Sequence, residues 1–241
     1  MSSIVTLTTD FGTKDGYVGA MKGRLLSLFP SVNIVDITHE IEPQNILSAA
    51  LCLKRSVREF SDGTIHLAVI DPGVGSNREA LLIKKGNSWF VGPDNGVFSF
   101  VVNEYTAVYK INKETRLWNS HQSFDGLHLF IPVVGALLTG VALDEFAELT
   151  TAPINRVDFP VSTANEDQIV GEIISFDHFG NALTNISIRS INDMKETASI
   201  LISCESKSYQ LCSCYSDGAQ YERFAIVNSD GFIELSVYCG S

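Results

Sequence analysis

Thr64-Ile65-His66-Leu67-Ala68-Val69-Ile70 runs without a break into Asp71-Pro72-Gly73-Val74-Gly75-Ser76. The first seven residues have the apolar continuity of a strand buried on both faces, as strands of a parallel sheet are. The polar, glycine-rich stretch that follows reads as a loop at that strand's carboxyl end. Upstream, Ile4–Thr8 and Val32–Ile37 are two more strand segments. Between them Val18, Met21, Leu25, Leu26 and Leu28 recur at helical spacing over Gly16–Phe29, and Pro30 ends the run. Pro43–Phe60 predicts a second helix, with proline in its first turn and Ile46, Leu47, Ala50, Leu51 and Leu53 turned inward. This alternation predicts an α/β domain with a mostly parallel sheet over residues 1–155.

Downstream the texture changes. Leu129–Leu143 is apolar but shorter than the roughly 20 residues a membrane span needs, so a buried helix is expected there. Thr150–Pro153 and Ser162–Asp167 are polar and turn-rich, which predicts a linker over 156–167. Beyond it lie only short strand segments, at 168–176, 183–188, 198–203, 208–214, 223–228 and 232–238. Asp217-Gly218 and Asp230-Gly231 mark turns between the last of them. Residues 168–241 are therefore expected to form a small all-β domain.

Composition sets outer limits. A chain of 241 residues can bury roughly 70% of its unfolded surface, so it needs neither a disulfide nor a structural metal to fold. Seventeen basic residues against 28 acidic ones give a net charge of −11, which argues against nucleic-acid or anionic-membrane surfaces as partners. Met1-Ser2-Ser3 leads directly into a strand, with no basic region and apolar run of a secretory leader. The five cysteines, Cys52, Cys204, Cys212, Cys214 and Cys239, have no CxxC or His partner pattern. They are expected to be plain thiols, Cys212 and Cys214 sharing one face of a strand, in a cytoplasmic protein.

Three loops place Asp or Asn beside Gly directly after a strand. They are Thr8-Thr9-Asp10-Phe11-Gly12, Asp71-Pro72-Gly73-Val74-Gly75-Ser76 and Gly92-Pro93-Asp94-Asn95-Gly96. Ligands of open α/β sheets bind at the carboxyl ends of strands, so three such loops together point to a site. None is a GxGxxG or Walker loop, and each alone would pass for a turn. Among the histidines, His39 and His66 are expected to be packed and hydrogen-bonded, and His121 and His178 to be exposed loop residues.

Six stretches together carry a family resemblance: TTDFGTKDGYVGAMKG (8–23), VDITHEIEPQNI (35–46), HLAVIDPGVGSNR (66–78), VGPDNGVF (91–98), DHFGNALTNI (177–186) and NSDGFIELSV (228–237). In this order they resemble the S-adenosylmethionine (SAM) hydrolases, or SAM hydroxide adenosyltransferases, a family related to fluorinase and chlorinase. The resemblance implies an α/β domain followed by a C-terminal β-barrel. It also implies a homotrimer that holds SAM between subunits, and no metal or organic cofactor. The implied reaction is attack of water or hydroxide on the 5′ carbon of SAM, giving adenosine and L-methionine. A SAM- or adenosine-binding protein without turnover, or a 5′-halogenating enzyme, are the alternatives.

Under the resemblance, Asp71 and Arg78 match two of the three residues that hold the attacking water. On its own, this pair would read as an ion pair bracing a tight loop. The third member of the family's set is a His, and here Phe124-Asp125-Gly126-Leu127-His128 departs. Asp125 stands at the His position and His128 three residues later. Either His128 reaches back to the water, or Asp125 polarises it, or catalysis is impaired. Pro132 suggests a helix start, which would leave 125–130 as loop or strand. For binding, the resemblance assigns Asp10 to the ribose hydroxyls and Asp177 to the methionine ammonium. It assigns Ser229 to the methionine carboxylate, and Phe179 and Asn181 to the adenine. Without it, Asp10 would be a turn or helix-start residue, and Phe179-Gly180-Asn181 a turn with a core aromatic.

Overall fold

The computed structural model describes residues 3–115, 117, 123–165, 167–193 and 200–240. It divides into two compact units, Met1–Asp158 and Phe159–Ser241. In the first unit the order is β1 (Ile4–Thr9), α1 (Tyr17–Leu28), β2 (Asn33–Thr38), α2 (Ile46–Ser56), β3 (Ile65–Val69), β4 (Ala80–Lys85), β5 (Ser88–Pro93), β6 (Thr106–Ile111), α3 (Ile131–Thr139) and β7 (Ala147–Thr150). The strands form one sheet in the order β2-β1-β3-β5-β4-β6-β7.

That sheet is mixed, which corrects the expectation of a mostly parallel one. The pairs β1–β2, β1–β3 and β3–β5 are parallel. The pairs β4–β5, β4–β6 and β6–β7 are antiparallel. The reason lies in the chain between β4 and β5: Gly86-Asn87 is too short for a crossover and turns the chain straight back as a hairpin.

Side chains alternate between two cores, one on each face of the sheet. Val5 and Leu7 of β1, Ile65, Leu67 and Val69 of β3, and Ala80 and Leu82 of β4 join Met21 and Leu25 of α1 and Val133 and Val134 of α3. Ala68, Leu81 and Ile83 face the other way, onto Ala49 and Leu53 of α2 and onto Phe98 and Val101. Period-2 alternation with apolar residues on both faces is the pattern of a sheet covered by helices on each side. Gly92 lets the second face close: a Cβ there would lie 2.3 Å from the Ala68 carbonyl oxygen and 2.9 Å from the Phe98 ring.

Two helix boundaries differ from expectation. The second helix starts at Ile46 and not at Pro43. Asn45 caps it, its side chain accepting from Ser48 N–H at 3.0 Å, while Gln44 takes a positive φ of 67° that no helix accommodates. Residues 126–130, expected as loop or strand, form a π-helical turn that runs directly into α3. Pro132 falls just past the junction of the two, in the first turn of α3, where its missing N–H removes one bond from the ladder at the change from π-helical to α-helical winding.

The second unit contains β8 (Thr163–Ala164), β9 (Ile169–Val170), β10 (Ile173–Phe176), β11 (Ala182–Ser187), α4 (Ile188–Asn192), β12 (Ile202–Cys204), β13 (Lys207–Leu211), β14 (Phe224–Val227) and β15 (Phe232–Ser236). Six strands form a sheet in the order β10-β11-β15-β14-β13-β12, and among the described residues β8 pairs only with β9. The outer strands β10 and β12 do not pair with each other among the described residues, so the unit is a curled half-barrel. It is not strictly all-β, because Ser187 accepts from Ser190 N–H and caps the single turn of α4. Two residues of the expected linker, Thr163 and Ala164, are paired strand. Positions 198 and 199 of one expected strand, and His121, lie outside the described residues.

All five cysteines are free. Strand β13 ends at Leu211, so Cys212 and Cys214 do not share a face: the first is buried and the second exposed. His39 and His66 are buried as expected, hydrogen-bonded to Thr9 and Thr6 respectively. Among the described residues no helix is long and apolar enough to cross a membrane.

Candidate active site

From β1 the chain passes to β2 on one side of the sheet, then returns to β3 on the other. The carboxyl ends of β1 and β3 therefore flank a topological switch point, where open α/β sheets form their binding crevice. Thr9 and Val69 are register partners at those ends, which brings the loops starting at Asp10 and Asp71 side by side.

Asp71 and Arg78 close the second loop on itself. Arg78 Nε donates to both Asp71 oxygens at 3.0 Å, and Nη2 donates to Asp71 Oδ2 as well. The same Nη2 donates to Asp125 Oδ2 at 2.5 Å. Side-chain exposure is 4% for Asp71, 8% for Arg78 and 13% for Asp125, so this acid–base–acid cluster lies largely out of water. Burial works against the guanidinium's charge, but the hydrogen bonds and charges of Asp71 and Asp125 outweigh it and raise the Arg78 pKa above its ordinary value. Arg78 stays a cation.

The surroundings hold this cation in one pose. Its guanidinium carbon lies 5.5 Å from the centre of the Phe130 ring, and Lys113 Nζ donates to the Arg78 carbonyl at 2.6 Å. Burial and the charge of Arg78 together lower the Lys113 pKa. Arg78 Nη1 is buried with no hydrogen-bond partner among the described residues. A buried, unpaired N–H on a charged group is costly, so Nη1 is a donor waiting for an acceptor.

Asp125 reaches Arg78 because the π-helical turn begins right after it. Gly126 gives that turn its room: a Cβ would sit 2.7 Å from the Phe124 ring and 3.3 Å from Met21 Sδ. Phe124 packs edge-on against Phe11 at 5.5 Å and Tyr17 at 5.2 Å, joining the Asp125 turn to the loop of Asp10. His128 is half-buried on the same turn and makes no hydrogen bond to Asp71, Arg78 or Asp125. Of the two residues that could fill the third position, the fold brings Asp125 to the pair.

Asp10 lies just past β1. Its Oδ2 accepts from Gln44 N–H at 2.8 Å, while Oδ1 has no partner among the described residues. The third loop is built around Asp94 and Asn95. Asp94 accepts from Asn155 N–H at 2.8 Å, and Asn95 Nδ2 donates to the Ile70 carbonyl at 2.7 Å, tying this loop to the end of β3. Burial raises the pKa of Asp94.

In the second unit Asp177 accepts from the N–H groups of Phe179 and Asn181 at 2.9 Å, and from Asn181 Nδ2 at 2.9 Å. Asp177 and Asn181 thus satisfy each other across a tight turn. Phe179 is 70% exposed, so it is not the core aromatic that a plain turn would offer. Ser229 is exposed in a turn held by Asn228, whose Oδ1 accepts from the N–H groups of Asp230 and Phe232 at 3.0 and 3.1 Å.

Lys113, Phe130 and Gln44 were invisible to sequence reasoning. No motif marks the first two, and Gln44 acts through its backbone N–H alone.

Comparison with known proteins bears on this site. Residues 5–147 match the model of the SAM hydroxide adenosyltransferase N-terminal domain, and 171–241 that of the C-terminal domain. A relative in Methanocaldococcus jannaschii, named (R)-S-adenosyl-L-methionine hydrolase, is 33% identical over 98% of this chain and 88% of its own. One of the same name in Salinispora tropica is 28% identical over 98% of this chain and 90% of its own. A crystal structure of an uncharacterised conserved protein from Thermotoga maritima superposes with a TM-score of 0.83 at 32% identity, covering 99% of this chain and 93% of that one. With both domain models matched in order, the chain belongs to the SAM hydroxide adenosyltransferase family.

Proposed function

We propose that the protein hydrolyses SAM to adenosine and L-methionine, using a water molecule held by Asp71, Arg78 and Asp125. The observation that carries this reading is the buried Arg78, clamped between two carboxylates with one guanidinium N–H left without an acceptor. The reaction needs little else. The leaving group is a sulfonium, which departs as a neutral thioether and requires no proton. The water oxygen forms a bond to C5′ as the C5′–S bond breaks, its electron pair passing to sulfur. The proton lost by the water goes to a carboxylate.

Asp125 is the better proton acceptor of the two acids. Both oxygens of Asp71 are bonded to Arg78, whereas Asp125 engages Arg78 through Oδ2 alone. Asp71 then fixes Arg78, and Arg78 Nη1 orients the water or stabilises the hydroxide it becomes. The carboxylate of Asp71 also disfavours a halide as nucleophile. Asp10, with Oδ2 anchored and Oδ1 unpaired, suits the vicinal hydroxyls of a ribose. Asp177, Ser229, Phe179 and Asn181 are assigned to the methionine and adenine ends by family resemblance.

The same resemblance supports a homotrimer working without a metal or organic cofactor, and the five free thiols suit a cytoplasmic compartment. Exposed apolar side chains in the second unit, among them Phe176 at 68% and Val161 at 82%, fit an assembly that covers them. Incubation of the purified protein with SAM, followed by chromatography, tests the reading. Adenosine and methionine in equal amounts are expected; tight binding with no product would contradict hydrolysis.

A further inference from the structure

His39 lies 5% exposed beneath the loop of Asp10 and is bonded to both sides of it. Its backbone carbonyl accepts from Gly12 N–H at 2.8 Å, and its Nδ1 lies 2.8 Å from the hydroxyl of Thr9. Thr9 Oγ1 also accepts from Phe11 N–H at 3.3 Å. Asp10 therefore sits between two residues pinned to one histidine, in a segment whose far end is pinned at Gly12. Behind the ring, Nε2 lies 3.0 Å from Asp36 Oδ1, and Asp36 Oδ2 lies 2.5 Å from Lys22 Nζ.

The partners fix where the ring carries its proton. A bare Nε2 lone pair at 3.0 Å from a carboxylate would be repelled, so Nε2 carries the hydrogen. In the neutral ring Nδ1 is then the acceptor, and the Thr9 hydroxyl donates to it. This turns the lone pairs of Thr9 toward Phe11 N–H and sets the peptide that follows Asp10. Burial opposes the charge of Asp36, but Lys22 and His39 outweigh it and keep its pKa below the ordinary value.

We propose that His39, oriented by Asp36, is a positioning residue: through Thr9 and Gly12 it aims the unpaired Oδ1 of Asp10 at the ribose diol of the substrate. The inference rests on the reading of Asp10 as the ribose-holding residue. No side chain of this relay needs to touch the nucleoside except that of Asp10.

Calorimetric titration with adenosine and with 2′,3′-dideoxyadenosine separates positioning from general damage, because only adenosine has the diol. Thr9→Val and His39→Phe should weaken adenosine binding about tenfold and leave the dideoxy analogue within about twofold. His39→Asn keeps an acceptor near the Nδ1 position and should recover most of the loss. An equal loss for both nucleosides, or no loss for either, overturns the positioning role.

Asp10→Asn provides the reference. A diol-selective loss there but not in the His39 variants overturns the inference while leaving the ribose reading intact. No diol-selective loss in Asp10→Asn overturns the ribose reading, and the inference with it. Should the variants not fold, imidazole 15N shifts of the wild-type protein decide: a hydrogen on Nε2 and a bare Nδ1 are expected, and a bare Nε2 overturns the relay.

Discussion

Asp125 closes on Arg78 from 47 residues away in sequence, its Oδ2 2.5 Å from the guanidinium Nη2 that also serves Asp71. A buried cation between two carboxylates attracts both, where the two side by side would repel each other. The third position of the cluster is thus filled by an acid whose charge Arg78 offsets.

If Asp125 accepts the proton, Asp125→Asn should lower kcat by about 10²–10⁴-fold with KM little changed. Asp71→Asn should likewise remove turnover while sparing binding, because it loosens the grip on Arg78. Steady-state kinetics with direct SAM binding measures both. Full turnover in Asp125→Asn would show that the proton goes elsewhere.

His128 makes no hydrogen bond to the cluster, so His128→Ala should keep kcat/KM within about threefold of wild type. A loss comparable to that of Asp125→Asn would assign the missing histidine's role to His128 after all.

Gly126→Ala tests how the turn places Asp125. The added methyl would lie 2.7 Å from the Phe124 ring, which cannot retreat freely because Phe11 and Tyr17 pack against it. Overpacking of this kind costs about 1–3 kcal/mol, and chemical denaturation should read it alongside a fall in kcat. A variant as stable and active as wild type would mean that the turn is more pliant than its packing implies.

Much of this was legible in advance, for identifiable reasons. The strand Thr64–Ile70 and the loop after it could be read because burial on both faces leaves a continuous apolar run, and because Asp71 and Arg78 lie within one loop. Strand direction was not legible: Leu81, Leu82 and Ile83 of β4 are buried on both faces just as parallel strands are, and only the short Gly86-Asn87 turn marks the reversal. The pairing of Asp125 with Arg78 is long-range, and no spacing rule reaches it. Pro43 pointed to a helix start that Gln44 forbids, since its backbone is bent to hand an N–H to Asp10. There a contact from a distant loop has overridden local preference.

His66 provides a pH test of the fold. Stacked on Phe90 and set edge-on to Phe60, it is buried, and burial lowers its pKa from the ordinary 6.5 to about 4. The folded state disfavours the charged ring, so this contribution is complete above pH 6.5 and is lost as the pH falls toward 4. Urea denaturation should show about 2 kcal/mol less stability at pH 5 than at pH 7 from this group, and His66→Phe should remove that part of the slope. An unchanged slope in the variant would place the pH dependence in other groups.

The central claim, that water attacks the 5′ carbon of SAM, is tested most directly by turnover in H2 18O with mass spectrometry of the products. The account predicts one 18O in the adenosine, at its 5′ oxygen, and none in the methionine. Label in methanol or homoserine would place the attack on the methyl or the methionine carbon of the sulfonium, and unlabelled adenosine would mean that water is not the nucleophile; either result contradicts it.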